Sequence, residues 1–482
     1  MIFSRSALSV LFTISMLLMA GADARSDGKS LPADARSAIK LQLDKAEGKR
    51  GTAGCVVLDL DSGDTIFSHN PDKPLAPASN MKLVTTAAAL KLLGSEFEFR
   101  TLLLGEGGDG GPLYVLGGGD PNLSGRFHNG DVLAVFRGWA EQLKKAGITE
   151  INGLRYDSTV FGGESYCDGW PKDDQYIQWY CAEVSALAFN DNCIGVRVVP
   201  GKAGQPATIE LTPATAAVKI INETTTQPGR KGAEIGIVRP RGENTITVKG
   251  KVYEQATWGY SIDVTVHDPA LYAATVLRET LQAQGIKVGG TMEPVTLGLE
   301  DVKRCKVLVE HKSTLLSALP PINTNSQDLH AELLFRQLGL RYSGKGSFKT
   351  SRAAVEAFLR EQSWWTEGVN IVDGSGLARD NRVTAHMLTK LLQAMAAGAN
   401  FEAFRDSLAV AGETGTLEKR LNDKAIKGRV YAKTGYIRGV RALSGYILTD
   451  NRRVAFSMLM NDCVYTKETQ DEIVAILARA LT

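Results

Sequence analysis

The chain has 482 residues, which is room for about three domains at roughly 150 residues each. Its composition, 44% hydrophobic and 22% charged residues, excludes a protein that is disordered throughout. The 55 basic and 53 acidic residues nearly balance and leave a net charge of +2. Binding to nucleic acid or to an anionic membrane depends on an excess of basic residues, so this balance argues against both partners.

The first residues have the pattern of a secretory signal peptide. Arg5 precedes an apolar run over 7–20, and Ala22 and Ala24 supply an A-x-A cleavage site. We therefore expect a signal peptide over 1–24 and an exported, periplasmic protein; a retained N-terminal anchor is the alternative. No later run reaches 18 consecutive apolar residues, so no integral membrane segment is expected after signal removal.

The first elements after the signal are a strand pair and a helix. Residues 54–68 predict a strand, a tight DSGD turn and a second strand. The alanine- and leucine-rich run that follows predicts a helix that starts close to Ser79 and ends at Gly94. From about 98 to 266 the pattern changes to short β-branched runs separated by Gly, Pro and Asn, which predicts a β-rich insertion.

Helical patterns return in the last part of the chain. Asp268 can cap a helix that has Pro269 in its first turn and ends at Gly285. The runs GVRALSGYILTD and RRVAFSMLMND predict a hairpin that turns at 450–451, and a last helix is expected over 467–481. The chain is therefore expected to be an α/β (α+β) protein, a helix-and-sheet domain interrupted by the insertion.

The six cysteines form neither a dense disulfide framework nor a zinc-binding pattern. Cys167 and Cys181 bracket a polar, aromatic loop that a disulfide could close in an oxidising compartment, and two unpaired thiols are the alternative. Cys55 lies in an apolar run and is expected in the core. The histidines are scattered without paired spacing, so no metal site is expected.

Ser79 and Lys82 are the first candidates for catalysis. Positions i and i+3 of a helix lie on one face, so the Lys82 amine can reach the Ser79 hydroxyl. A serine becomes a good nucleophile when a neighbouring base takes its proton, and a neutral lysine can be that base. The helix N-terminus also offers the Ser79 backbone N–H to a developing oxyanion. S-x-x-K occurs by chance in many long chains, so this motif needs support from others.

Two further triplets supply that support. Lys433, Thr434 and Gly435 end a predicted strand, where a cation and a hydroxyl suit a substrate carboxylate laid along the strand edge. Ser326 opens the triplet S-Q-D, which ends at Asp328 just before a helix, and its hydroxyl could relay a proton to a leaving amine. Each triplet alone is at chance level. An S-x-x-K that opens a helix and a K-T-G that ends a strand are together much more specific.

With these motifs the chain resembles the D-alanyl-D-alanine carboxypeptidases/endopeptidases of the class C, low-molecular-mass penicillin-binding proteins. The similarity covers nearly the whole mature chain and includes, in family order, PASNMKL, GGGDPNLS, SALAFNDN, DPALYAA, DGSGLARDNRVTA, SLAVAGETGTLEKRL, YAKTG and GVRALSGYI. The long gap between Ser79 and Ser326 also fits, because this family inserts two β-rich domains there. The resemblance implies a serine β-lactamase/transpeptidase-like domain interrupted by two smaller domains.

The resemblance further implies a serine acyl-transfer mechanism on peptidoglycan stem peptides. Ser79 would attack the carbonyl of the penultimate D-Ala, with Lys82 as general base and Ser326 passing the proton to the departing amine. The backbone N–H groups of Ser79 and Tyr436 would form the oxyanion hole. Water would then release the acyl-enzyme, β-lactams would acylate the same serine, and neither cofactor nor metal would be needed.

The substrate-binding residues implied by the same resemblance are Asp328, Lys433, Thr434, Gly435 and Arg379. Of these, Lys433 and Thr434 would bind the terminal carboxylate of the stem peptide. Arg379 could pair with a carboxylate on that peptide. A structural ion pair or a solvated arginine is the alternative for Arg379.

Two residues depart from the family pattern. The second motif is usually S-x-N, and here Asp328 replaces the amide. A carboxylate near Lys82 would favour its ammonium form and weaken it as a base. Tyr436 follows K-T-G where the family commonly has a small hydroxyl residue, and its ring is expected to narrow the site or restrict substrates. We expect both departures to affect turnover more than fold.

We expect a catalytic domain over 25–97 and 267–482, a β-rich inserted domain over 98–195 and 246–266, and a nested smaller β-rich domain over 196–245. The leading function is a serine-type D-Ala-D-Ala carboxypeptidase, with or without endopeptidase activity. One alternative is a β-lactamase, for which no motif assigns a base to the deacylating water. The other is a peptidoglycan-binding protein whose catalytic site is weakened.

Overall fold

The computed structural model describes residues 30–256, 259–424 and 426–481. The predicted signal peptide, 1–24, lies outside the described residues. The helices within them are α1 (Ala33–Glu47), α2 (Met81–Leu92), α3 (Ala134–Lys145), α4 (Pro269–Ala283), α5 (Leu299–Arg304), α6 (Leu315–Asn323), α7 (Asp328–Ser343), α8 (Phe348–Glu361), α9 (Ala385–Ala396), α10 (Phe401–Asp406) and α11 (Thr466–Leu481).

The strands of the described residues form four sheets, which together with the helices give the predicted α/β (α+β) architecture. They are β1 (Thr52–Asp59), β2 (Thr65–His69), β3 (Glu98–Gly105), β4 (Leu113–Leu116), β5 (Glu150–Asp157), β6 (Cys193–Val199), β7 (Thr208–Thr212), β8 (Lys219–Gln227), β9 (Glu234–Val238), β10 (Thr245–Tyr253), β11 (Tyr260–Thr265), β12 (Lys287–Pro294), β13 (Lys306–Thr314), β14 (Ala409–Val410), β15 (Val430–Ile437), β16 (Val440–Leu448) and β17 (Arg453–Asn461).

A six-stranded antiparallel sheet joins the two ends of the chain, in the order β14-β15-β16-β17-β1-β2. β16 and β17 form the predicted hairpin, with Leu448 opposite Arg453. Both faces of this sheet are covered, by α2 and α9 on one side and by α1 and α11 on the other. Successive side chains of a strand point to opposite faces, so Ala442 enters one hydrophobic cluster and Leu443 the other.

Helix α2 is the central helix of the larger cluster. The predicted helix begins at Met81, two residues after Ser79, and a 3-10 turn, Ala78–Asn80, leads into it. Its residues are buried from Met81 to Leu90 because α6, α7, α8 and α9 surround it. The small alanine side chains of α2 permit this close packing, which brings the start of α2 against the start of α7.

A five-stranded sheet, in the order β12-β5-β4-β3-β13, forms the first part of the insertion. Helices α3 and α4 pack on it and share one hydrophobic cluster with its strands. As predicted, Asp268 caps α4, and its side chain accepts a hydrogen bond from the Leu271 N–H. The domain boundary that we expected at 267 is wrong, because β13 pairs with β3 and the sheet therefore continues to Thr314.

Two three-stranded sheets complete the insertion, in the orders β11-β6-β7 and β8-β10-β9. β10 pairs in parallel with β8 and antiparallel with β9, so the second of these sheets extends to Tyr253, beyond the expected limit of 245. Val196 of β6 and Val248 of β10 both enter the cluster of the five-stranded sheet. The division of the insertion into a larger and a nested domain stays a prediction.

All six cysteines lie within the described residues, and each is a free thiol. Cys167 and Cys181 are therefore unbridged, and both are buried. Cys55 lies in the core, as predicted, where burial raises the pKa of its thiol to about 12. Among the described helices, none has both the length and the apolar composition needed to cross a bilayer.

Candidate active site

The structure brings the side chains of Ser79 and Lys82 together. Ser79 lies in the 3-10 turn before α2, Lys82 lies in the first turn of α2, and Lys82 Nζ is 3.0 Å from Ser79 Oγ. Ala78, directly before the serine, has a φ of 46°, in the left-handed region that side chains other than glycine rarely adopt. Such local strain occurs most often at functional sites, where the surrounding structure holds it in place.

Lys82 is fully buried and has three hydrogen-bond acceptors around its amine. They are Ser79 Oγ, Asp328 Oδ1 and the Ser375 carbonyl oxygen, the last at 2.8 Å. An ammonium group has three N–H donors, so these partners satisfy all of them. Burial raises the pKa of the Asp328 carboxyl, and the charge of Lys82 opposes that rise.

Ser326 lies in the loop between α6 and α7, at the same cleft as Ser79. Its φ is 65°, so this residue also adopts a left-handed conformation. Backbone hydrogen bonds hold the loop; among them, the Gln327 N–H donates to the Pro321 carbonyl at 2.9 Å, and the Thr416 N–H donates to the Thr324 carbonyl at 3.2 Å. Thr416 belongs to the segment GETGT, whose contribution the sequence analysis missed.

Strand β15 carries the K-T-G motif next to the 3-10 turn of Ser79. Asn80 Nδ2 donates to the Lys433 carbonyl at 2.9 Å and ties the two segments together. Gly435 permits this approach, since a Cβ there would lie 2.8 Å from the Pro77 carbonyl oxygen. β14 pairs with β15 only as far as Ala432, so among the described residues the rest of this edge has no strand partner and is open to a peptide backbone.

Lys433 and Thr434 are each held at that edge by a hydrogen bond of their side chain. Lys433 is fully buried, and its Nζ donates to the Thr434 carbonyl at 2.9 Å. Burial, with the nearby charge of Lys82, holds the pKa of Lys433 well below its usual value. Thr434 Oγ1 donates to Thr416 Oγ1 at 2.8 Å. An amine and two hydroxyl groups, all hydrogen-bond donors, thus lie within one small region, which suits an anionic group.

The loop over 373–376 contacts Lys82, the candidate general base, through the Ser375 carbonyl oxygen. Its backbone N–H groups at Gly374 and Ser375 donate to Glu332 Oε1, at 3.0 and 2.7 Å. Glu332 is fully buried, which, with the charge of Asp373, raises the pKa of its carboxyl to about 8. Ser375 therefore contributes its carbonyl to the site, and neither it nor Glu332 could be identified from the motifs.

A cleft of about 820 Å³ connects these groups. Six of the predicted site residues line it: Ser79, Ser326, Asp328, Arg379, Thr434 and Tyr436. Lys82 and Lys433 lie buried behind its surface. The opposite wall comes from 169–180, including Trp170, Trp179 and Tyr180. The cysteine spacing of this segment predicts only a disulfide loop, although aromatic and polar side chains together are common in ligand clefts.

One group of described side chains, Asp44, Glu47 and His69, is close enough to surround a metal ion. None of the three lines the cleft. Glu47 already accepts hydrogen bonds from the Ala53 N–H and from His69, and Asp44 is paired with Lys40 at 2.8 Å. These hydrogen bonds and this ion pair explain why the three side chains lie close together, as part of the packing between α1 and the sheet.

Comparisons with known proteins agree with the motifs and the fold. Residues 36–480 match the model of the D-Ala-D-Ala carboxypeptidase 3 (S13) family. A D-alanyl-D-alanine carboxypeptidase of Actinomadura sp. (strain R39) is 33% identical, over 95% of this chain and 86% of its own length. The D-alanyl-D-alanine carboxypeptidase DacB of Haemophilus influenzae is 26% identical, over 85% of each chain.

Among solved structures, penicillin binding protein 4 of Haemophilus influenzae is similar with a TM-score of 0.77, over 92% of this chain and 99% of that one. Its sequence identity is 24%, so this likeness bears on the fold alone. The family match covers almost the whole described chain and agrees with the order of the sequence motifs. The chain therefore belongs to the D-Ala-D-Ala carboxypeptidase 3 (S13) family and is a serine carboxypeptidase.

Proposed function

We propose that Ser79 is the nucleophile with which this enzyme removes the terminal D-Ala from peptidoglycan stem peptides. The observation that carries the proposal is the 3.0 Å contact between Ser79 Oγ and Lys82 Nζ in the cleft. Lys82, in its amine form, takes the hydroxyl proton while Ser79 Oγ attacks the carbonyl carbon of the penultimate D-Ala. The backbone N–H groups of Ser79 and Tyr436 donate to the oxyanion that forms.

The tetrahedral intermediate then collapses to an ester on Ser79, and the C–N bond to the terminal D-Ala breaks. The departing amine takes up the proton held by Lys82, through the Ser326 hydroxyl. Water attacks the ester, its proton returns to Ser79 Oγ by way of Lys82, and the shortened peptide leaves. Each step uses groups that line the cleft or lie directly behind it.

The terminal carboxylate of the peptide binds at Lys433 and Thr434, with the Thr416 hydroxyl beside them. Supporting this assignment, the Lys433 amine and both hydroxyl groups lie at the unpaired part of β15. The peptide backbone can then extend this edge in β-strand conformation, and Gly435 leaves room for it. Arg379, which is exposed at the rim of the cleft, pairs with a second carboxylate of the stem peptide.

β-Lactams carry a strained amide and a carboxylate that occupy the same positions, so we propose that they acylate Ser79. A substrate in the cell wall also requires export, and we propose a periplasmic location. Endopeptidase cleavage of cross-linked peptides would use the same groups if the open cleft admits the longer leaving group. The Lys82–Asp328 ion pair favours one rival, a peptidoglycan-binding protein that binds ligand without acylation.

The experiment that tests the proposal is the intact mass of the protein after incubation with benzylpenicillin. We expect the mass of one benzylpenicillin to be added to the wild type, with the adduct mapped to Ser79, and none to be added to Ser79→Ala. Ser375→Ala is the matched control, because it removes another buried hydroxyl and keeps the carbonyl that contacts Lys82. An adduct on a different residue, or no adduct between about pH 6 and 10, would contradict the assignment of Ser79.

A further inference from the structure

Asp191 belongs to the inserted part of the chain, yet its side chain contacts the loop that carries Ser326. We propose that Asp191 is a positioning residue for Ser326 and Asp328, and that it acts through Gln327. The inference rests on the proposed role of Ser79 as nucleophile. Asp191 does not line the large cleft, so its effect passes through the protein and requires no contact with substrate there.

Gln327 is the link between the two parts of the chain. It stands between Ser326 and Asp328 and is only 4% exposed. Its side-chain Nε2 donates to Asp191 Oδ2 at 3.0 Å, while its backbone N–H donates to the Pro321 carbonyl at 2.9 Å. A displacement of Gln327 therefore moves the residues on both of its sides.

The loop needs such support because of the backbone of Ser326. A φ of 65° is disfavoured for any residue with a Cβ, and it persists where neighbouring contacts enforce it. On the C-terminal side of Ser326, the Pro321 carbonyl holds the backbone N–H of Gln327 and Asp191 holds its side chain. Asp328, one residue further on, contacts Lys82, so the same support bears on the ion pair.

Asp191 lies in a turn of left-handed residues that side-chain hydrogen bonds stabilise. Asn190, Asp191 and Asn192 have φ values of 48°, 55° and 51°, three consecutive left-handed residues. Asn192 closes the turn, because its Oδ1 accepts from the Phe189 N–H at 3.0 Å and its Nδ2 donates to the Glu183 carbonyl at 2.8 Å. These bonds fix the backbone of the turn that carries Asp191.

Arg126 fixes the carboxylate from the side of the insertion. Its Nε and Nη2 donate to Asp191 Oδ2 at 2.8 and 2.6 Å, the same oxygen that Gln327 contacts. Asp191 Oδ2 thus contacts both Arg126, which belongs to the insertion, and the side chain of Gln327, which belongs to the loop that carries Ser326. We expect the loss of the contacts that Asp191 makes with Arg126 and Gln327 to slow the acylation of Ser79 more than it weakens ligand binding.

The test is a double-mutant cycle on Asp191→Ala and Gln327→Leu. The measured quantities are the limiting rate constant for acylation by benzylpenicillin, the dissociation constant of the preceding complex, and the melting temperature. We expect each single variant to slow acylation by about tenfold with the dissociation constant within about twofold, and the double variant to be no slower than either. Asp191→Asn keeps an acceptor for Gln327 and should recover most of the rate.

Asp263→Asn is the matched control, because Asp263 lines one small pocket together with Arg126, Asp191 and Gln327. We expect it to acylate at the rate of the wild type. An acylation rate within about twofold of wild type in Asp191→Ala, or single effects that multiply in the double variant, would overturn the inference. Gln327→Leu leaves the Asp191 turn intact and decides the question alone if Asp191→Ala fails to fold. Absence of acylation in the wild type would instead overturn the proposed function.

Discussion

Lys82 and Asp328 form an ion pair at the base of the cleft, with Lys82 fully buried and Asp328 8% exposed. The same amine contacts Ser79 Oγ, the atom that loses its proton in the proposed mechanism. The Asp328 carboxylate therefore occupies one hydrogen bond of the amine that, in the proposed mechanism, must accept the Ser79 proton.

Replacing Asp328 with asparagine should consequently speed the reaction. The amide keeps an acceptor for Lys82 and removes the negative charge. We expect Asp328→Asn to raise the rate of acylation by benzylpenicillin about tenfold near pH 7, because no carboxylate then competes for the Lys82 amine that must accept the Ser79 proton. The measurement is the second-order acylation rate at about pH 7. Asp173→Asn, at another acid of the cleft wall, is the control, and identical rates for Asp328→Asn and wild type would refute the prediction.

Glu332 makes the stability of the protein depend on pH. Burial raises the pKa of its carboxyl to about 8, far above the usual value of 4.5. Between about pH 4.5 and 8 the native protein retains a proton that the unfolded chain releases, so the free energy of unfolding falls as the pH rises through this window. Glu332→Gln keeps an acceptor for the N–H groups of Gly374 and Ser375 and removes the titration.

We therefore expect the stability of Glu332→Gln relative to wild type to increase by a few kcal/mol between about pH 5 and 8. Urea unfolding at intervals across that range measures the difference. Glu356→Gln, at an exposed glutamate of α8 that pairs with Arg360, should show no such trend. Parallel stability curves for wild type and Glu332→Gln would show that Glu332 does not carry the titration.

Arg379 gives a prediction about substrate charge. Its side chain is exposed at the rim of the cleft, and we propose that it pairs with a carboxylate of the stem peptide. Arg379→Ala should raise KM about tenfold for a peptide with a free side-chain carboxylate, and change it little for the amidated peptide. Steady-state release of D-Ala from both peptides measures this selectivity. Arg382→Ala, in the same segment, is the control, and an equal effect on both peptides would contradict the pairing.

The sequence could predict those parts of the site that depend on residues close together in the chain, or on the chemistry of one side chain. The Ser79–Lys82 contact follows from the spacing of one helical turn, and the cap of α4 follows from Asp268 at its first position. Glu332 and Asp191 could not be found this way. Each acts on a segment distant in the chain, through partners at 374–375 and at Gln327, that only the tertiary structure brings together.

Two other features escaped prediction for different physical reasons. Ser375 contacts Lys82 through its backbone carbonyl. Every residue type has this group, so the sequence does not indicate which carbonyl contacts the lysine. The boundary at 267 was wrong because the apolar face of α4 indicates burial but not which sheet buries it. β12 and β13 return to the inserted sheet after that helix, and this long-range pairing is set by tertiary packing.

Tyr436 should restrict the size of the acyl donor. Its ring is 64% exposed, lines the cleft and stacks against the Arg441 guanidinium, 4.6 Å from the ring centre. This stacking holds the ring at the mouth of the site, beside the N–H that we assign to the oxyanion hole. In Tyr436→Thr the backbone N–H remains while the obstruction is removed.

We expect Tyr436→Thr to accelerate acylation by β-lactams with bulky side chains about fivefold and to leave acylation by small β-lactams within about twofold of wild type. Competition between a bulky and a small β-lactam, followed by intact mass, measures the ratio directly. Tyr342→Thr removes an exposed tyrosine that does not line the cleft and should leave that ratio unchanged. If the ratio in Tyr436→Thr equals that of Tyr342→Thr, the ring does not select among acyl donors.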